Sequence, residues 1–118
     1  MTGAAGREAA PTAAIVAIGS EMLGPLRQDT NSLWLSARLE ELGIPVVRKS
    51  VVGDDPVLLG EELTFVARSA RYVFTTGGLG PTADDVTVAA VAAWLGAGLE
   101  RNAPFLEKMR ERFARRGF

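Results

Sequence analysis

Between Thr75 and Thr87 the chain reads TTGGLGPTADDVT, which crowds glycines, hydroxyls and paired acids into one turn's length. Gly77, Gly78 and Gly80 carry no Cβ, so the backbone can turn sharply and let a ligand approach its N–H groups. A helix starting just beyond would aim its free N–H groups and positive dipole end at the same point, which makes phosphate or pyrophosphate the natural guest. The pattern is neither GxGxxG nor a Walker loop with its Lys-Ser/Thr, so those nucleotide fingerprints do not apply. The same letters support a plainer reading. Thr82 caps a helix, Asp85 three residues on completes a capping box, and the glycines only make the turn. Both readings stay open, although Asp84 with Asp85 exceeds what one cap requires, and Thr75, Thr76 and Thr87 add further hydroxyls.

Other acids could join this loop. Asp54 and Asp55 form a second acidic pair; Asp55 is accounted for as a helix cap, whereas Asp54 has no such duty. Glu21 stands close behind the first apolar run, placed either to point into a cleft or to sit on an exposed loop. Carboxylates beside a phosphate repel it unless a divalent cation lies between them, so the loop and the acids together point to a metal shared with phosphate oxygens.

The elements that must position these residues follow from the apolar pattern. AAIVAI, Ala13 to Ile18, is continuously apolar and reads as a strand buried on both faces. From Asn31 to Leu42 the residues Leu35, Leu39 and Leu42 recur at helical spacing, with Asp29 or Thr30 to cap and Gly43 to stop; Trp34 widens the expected buried face. Ile44 to Val52 is a β-branched run carrying Pro45, Arg48 and Lys49, the marks of an edge strand. Asp55 and Pro56 open a helix whose buried stripe is Leu59, Leu63, Val66 and Ala70. Arg71 to Thr76 forms a third strand. A helix from Ala83 to Leu95 is expected to bury Val88, Val91, Ala92 and Leu95, and another runs from about Pro104 to Arg115. The tail from Arg101 to Phe118 carries Arg101, Lys108, Arg110, Arg112, Arg115 and Arg116 against Glu107 and Glu111, the pattern of a basic surface helix, a phosphate-steering patch or a partner contact.

Alternating strands and helices imply a parallel α/β sheet with right-handed crossovers. With the charged second strand outermost the order is 2-1-3, and the chain then leaves the first strand in opposite directions, creating a switch point between strands one and three. Ligands of open α/β sheets bind there, beyond the carboxyl ends of the strands. Two loops should meet at that place, GSEMLGPLRQDTN from Gly19 to Asn31 and the glycine loop.

Composition narrows the chemistry. The 118 residues, 47% hydrophobic, fit one domain with a packed core, and residues 1–12 read as a disordered leader before a domain spanning 13–118. A formal net charge of -1 gives no global attraction to nucleic acid or to anionic membrane, so a small ligand is expected. With no cysteine and no histidine, disulfides, thiolate nucleophiles, Ser-His-Asp triads and the usual zinc sites are excluded. Neither a secretory signal nor a membrane span is legible, and a cytoplasmic location is expected.

The glycine stretch, the upstream AIGSEMLGPLRQDTNSLWLSARLEELGI and the VVGDD between them resemble, in order, the amino-terminal domain of the CinA (competence/damage-inducible protein A) family, whose fold is similar to the molybdopterin-binding MogA/MoaB proteins and gephyrin. The resemblance implies a three-layer α/β/α domain that oligomerises and binds a phosphorylated ligand. It implies metal-dependent hydrolysis of ADP-ribose to AMP and ribose 5-phosphate, with Asp54 and Asp85 as catalytic and metal-holding residues, magnesium or cobalt as the metal, and Gly19, Ser20, Glu21, Thr76, Gly77, Gly78, Gly80, Thr82 and Thr87 at the ligand. The molybdopterin branch implies instead a pterin carrier of molybdenum-cofactor synthesis; a non-catalytic regulatory domain is the third reading. GSEMLG matches the CinA branch rather than the SD loop of the molybdopterin proteins. The family fold continues with further strands that have no candidate after the last helix, so a carboxyl-terminally truncated domain with one open sheet edge is expected. The separate domain that deamidates nicotinamide mononucleotide in the family likewise finds no counterpart here.

Overall fold

The computed structural model describes residues 10–117, and the first nine residues of the expected leader lie outside them. Three strands, β1 (Ala13–Ile18), β2 (Val46–Val52) and β3 (Tyr72–Thr76), form one parallel sheet in the order β2-β1-β3, as the distribution of charge along the chain predicts. β1 is central because all six of its residues are apolar and small enough to be covered on both faces; each is at most 2% exposed. Its last residues stand level with the ends of its neighbours, Ile18 with Val52 and Ala17 with Thr76, so the three following loops emerge at one edge of the sheet. Thr12 anchors the entry to β1, its carbonyl accepting from the N–H groups of Arg71 and Tyr72.

Helices α1 (Thr30–Glu41), α2 (Pro56–Ser69), α3 (Thr87–Leu95) and α4 (Ala103–Arg115) complete the described elements. The core lies on both faces of β1. On one, Val16, Ile18 and Val52 meet Leu59, Leu63, Val66 and Ala70 of the α2 stripe, together with Ala90 of α3; on the other, Ala13 and Ile15 meet Leu39 of α1. Asp29 caps α1 by accepting from the Ser32 N–H, and Asp55 caps α2 by accepting from Val57 and Leu58 N–H. Gly43, at φ 74°, ends α1 as expected.

Several expected burials fail for one reason: an apolar residue goes inside only where a neighbouring layer exists to cover it. Trp34 is 60% and Leu42 72% exposed, because α1 presents only Leu39, with Leu35 half-covered, to the sheet. Val88 and Leu95 are exposed too, while Thr87 and Ala90 are the buried residues of α3 and Val91 and Ala92 are half-covered. The helix expected from Ala83 starts at Thr87, and Ala83 to Val86 belong to the preceding turn.

Candidate functional site

Two loops converge at the end of the central strand. After Ile18 the chain turns at Gly19, whose N–H donates to the Val52 carbonyl (2.9 Å), and enters a single 3-10 turn over Ser20–Leu23. There Ser20 and Asp54 join reciprocally: the Ser20 N–H donates to the Asp54 carboxylate (3.2 Å), and the Asp54 N–H donates to the Ser20 hydroxyl oxygen (3.0 Å). The loops after β1 and β2 are thereby stapled. Gly53 keeps the staple close, since a Cβ there would stand 3.1 Å from the Ser20 hydroxyl. The exposed Glu21 folds its carboxylate back over Gly19, within 2.6 Å of where a Cβ would project.

The glycine loop closes on the other side of Ile18. Gly77 and Gly78 adopt φ 84° and 66°, a left-handed conformation that side chains resist, and a Cβ would drive Gly77 into the Ile18 carbonyl and Gly78 into the Thr87 hydroxyl. Both glycines are therefore required by the chain's own packing, before any ligand is considered. Thr87 locks the turn from the helix side: its hydroxyl donates to the Gly77 carbonyl (2.7 Å) and its N–H to the Gly78 carbonyl (3.2 Å).

Thr82 and Asp85 do pair as a capping box would, but no helix starts there. The Thr82 N–H and hydroxyl both donate to one Asp85 carboxylate oxygen (3.0 and 2.7 Å), and the Asp85 N–H donates to the Thr82 carbonyl (3.0 Å). The Thr82 hydroxyl, followed by its N–H, holds the Asp85 carboxyl below its ordinary pKa; slight desolvation opposes them and the Gly80 N–H adds to them. Asp84 is exposed. With the carboxylate spent on the turn, α3 starts at Thr87 behind Val86 in the cap position, with no side-chain cap. Among the described residues no acceptor takes the N–H groups of Val88 and Ala89, whereas that of Thr87 goes to Gly78 and that of Ala90 to Val86.

The structure thus brings Ser20 to Asp54 and Glu21 to Gly19, and separately Thr82 and Gly80 to Asp85 and Thr87 to Gly77 and Gly78; the two groups touch through Ile18. It does not gather the acids, since no three carboxylates among the described residues stand as one metal-holding group. Thr76 is half-buried at the end of β3. Sequence reading expected free N–H groups at a helix start beside the glycines but placed that start at Ala83, so it did not single out Val88 and Ala89. It also missed an apolar groove of about 350 Å³ beside the loop, lined by Leu79, Val88, Val91, Leu95 and Leu99 among others. Its signal was present in TVAAVAAWL, a helix apolar on every side.

Residues 14–117 match the family model described as "Probable molybdopterin binding domain". The chain belongs to that family. A CinA-like protein of Solibacter usitatus is 54% identical over 103 residues, a match covering 86% of this chain and 24% of the relative, so the chain spans about a quarter of that relative's length. Among solved structures, the protein CinA of Thermoplasma acidophilum, described as of unknown function, superposes with a TM-score of 0.83 at 30% identity, covering 89% of this chain and 62% of that one. MoaB of Thermus thermophilus, a molybdopterin biosynthesis enzyme, superposes at 0.66 with 24% identity over 70% of this chain and 54% of its own, a likeness of fold alone. The resemblance to the CinA amino-terminal domain, with its MogA/MoaB-like architecture, therefore holds in sequence and in fold. No helix among the described residues is long and apolar enough to cross a membrane.

Proposed function

We propose that this CinA-like domain binds ADP-ribose at the carboxyl edge of its sheet and hydrolyses the pyrophosphate to AMP and ribose 5-phosphate. The observation that carries the reading is the uncapped start of α3, where the Val88 and Ala89 N–H groups lack acceptors directly beside the tight Gly77–Gly78 turn. Two unpaired amides at the positive end of a helix favour a phosphate oxygen. Thr82 and Thr87 serve by ordering the loop, since both hydroxyl protons are already donated within it. Thr76, at the mouth, contributes a hydroxyl to the ligand. Gly19, Ser20 and Glu21 form the facing wall, held by the staple to Asp54.

The residues fit a magnesium-type ion in one respect: the Ser20 bond to Asp54 and both Thr82 bonds to Asp85 fall on a single oxygen of each carboxylate. Such ions are commonly held by one or two carboxylates, with water and substrate phosphates filling the remaining positions. Asp54 and Asp85 would hold the ion, which when bound polarises phosphoryl oxygens and lowers the pKa of water. The Thr82 hydrogen bonds that lower the pKa of Asp85 favour its charged carboxylate, the form that would bind a cation.

The apolar groove beside the turn supports a second reading, in which a flat pterin lies against Val88, Val91 and Leu95 and the domain carries molybdopterin without hydrolysing anything. One assay separates them. AMP release from ADP-ribose with magnesium, present in the unmutated chain and lost in Asp85→Asn, establishes hydrolysis; no release, with tighter binding of a pterin than of ADP-ribose, establishes the carrier.

A further inference from the structure

Helix α3 carries the amides of the candidate site in its first turn, yet apolar packing does little to fix its rotation about its own axis. Its sequence TVAAVAAWL is apolar on every side, so no polar row marks an outer face. Among the described residues its contacts lie mainly with α2, and Ala90 is the apolar side chain it buries in the core.

Polar ties at its two ends supply what packing does not. In the first turn Thr87 bonds back to the carbonyls of Gly77 and Gly78. In the last turn the Trp94 indole N–H donates to the hydroxyl oxygen of Thr64 on α2 (2.9 Å). Thr87, Ala90, Val91 and Trp94 follow the three-and-four spacing of a helix, so both ties lie along the face that meets the core. Thr64 is a directed acceptor: its own hydroxyl donates to the Gly60 carbonyl one turn earlier (3.0 Å), which fixes the rotor and leaves a lone pair for the indole. Trp94 is 39% exposed, so water is available to its N–H and the bond to α2 is not forced by burial.

We propose that the Trp94–Thr64 hydrogen bond is a positioning contact, which holds α3 in the rotation that aims the Val88 and Ala89 N–H groups at a bound phosphate. The inference rests on the reading of that site given above. Trp94 lies seven residues beyond Thr87, about 10 Å along the axis, and neither it nor Thr64 meets the ligand in this scheme. On a backbone radius of about 2.3 Å, a rotation of about 25° moves a helical N–H sideways by about 1 Å, enough to spoil its bond to a phosphate oxygen.

Two measurements on Thr64→Val, Thr64→Ser and Trp94→Phe test this: amide spectra of the 15N-labelled chain without ligand, and the dissociation constant for ADP-ribose with magnesium. Both are made where every variant is fully folded, so that lost stability alone leaves the affinity unchanged. Thr64→Val keeps the shape of the side chain but removes the acceptor; it should shift the Val88 and Ala89 resonances and raise the dissociation constant about three- to tenfold, the range of one hydrogen bond. Trp94→Phe should do the same, and the double variant Thr64→Val/Trp94→Phe should add nothing further, because both remove one bond. Thr64→Ser retains the hydroxyl and should stay within about twofold of the unmutated chain. Resonance changes confined to the surroundings of Thr64 and Trp94 overturn the proposal, as does unchanged affinity in Thr64→Val or a Thr64→Ser as impaired as Thr64→Val. An unmutated chain that binds no ADP-ribose overturns the functional reading instead; the ligand-free spectra then still decide whether the bond sets the rotation of α3, shifts at Val88 and Ala89 upholding it and their absence refuting it.

Discussion

Asp54 and Asp85 occupy equivalent positions, each in the loop that follows an outer strand, and each is held by a hydroxyl residue, yet the two ties differ in reach. Asp54 bonds Ser20, 34 residues earlier in another loop, while Asp85 bonds Thr82 only three residues back. The first tie is tertiary and fixes two loops against one another; the second is local and shapes a single turn. A carboxylate in a local tie is removable with little structural loss, so Asp85 is the acid whose substitution reports on chemistry, and Asp54 the one whose substitution reports on the frame.

The largest expected effect comes from the turn that separates these two regions. Gly77→Ala forces a left-handed φ on a residue with a Cβ and presses it into the Ile18 carbonyl, so it should destabilise the fold by about 2 kcal/mol or more in urea unfolding. Next, Asp54→Ala should cost about 1–2 kcal/mol and Ser20→Ala a similar amount. The double variant should cost much less than their sum, because both substitutions remove the same reciprocal pair; full additivity would break the comparison. Asp85→Asn should shift the unfolding midpoint less than Asp54→Ala does while removing AMP release, and an equal loss of both would reduce Asp85 to a turn former.

Proton linkage sharpens the contrast further. The folded-state pKa of Asp85 lies below its ordinary value of 3.8, so the unfolded chain takes up the proton first as pH falls. Its contribution is therefore complete above that ordinary value and disappears as pH falls through the lower folded value. Comparing unfolding midpoints of the unmutated chain and Asp85→Asn between about pH 6 and about pH 2 should show a difference that is constant above about pH 5 and shrinks in acid. The smallest effect is expected at Ser50, whose hydroxyl oxygen is buried without a hydrogen-bond partner among the described residues. Ser50→Ala should be neutral or stabilising by a few tenths of a kcal/mol, since it removes an unsatisfied polar atom.

These two regions also mark what the sequence could disclose. The sheet order was legible because Arg48 and Lys49 cannot sit in a strand covered on both faces, whereas AAIVAI can. The α2 stripe was legible because Glu61, Glu62 and Arg68 mark an outer face and Leu59, Leu63 and Val66 an inner one. α3 offers no such contrast, so Val88 and Leu95 were assigned inward when no layer covers them. The helix start was misplaced because Thr82-Ala-Asp-Asp85 carries a true capping signature that closes a turn instead, and Thr87, bonded back to Gly77 and Gly78, then starts the helix. The Ser20–Asp54 staple had no local signal at all, as only the folded sheet brings the two loops together.

The central claim is that the unpaired amides beside the glycine turn receive a phosphate. Titrating ADP-ribose with magnesium into the 15N-labelled chain and following its amide resonances tests it directly. The account predicts saturable shifts at Val88, Ala89, Gly77 and Gly78, weakened in Gly78→Ala. Saturable shifts confined to residues remote from this turn, or none at all, would contradict it.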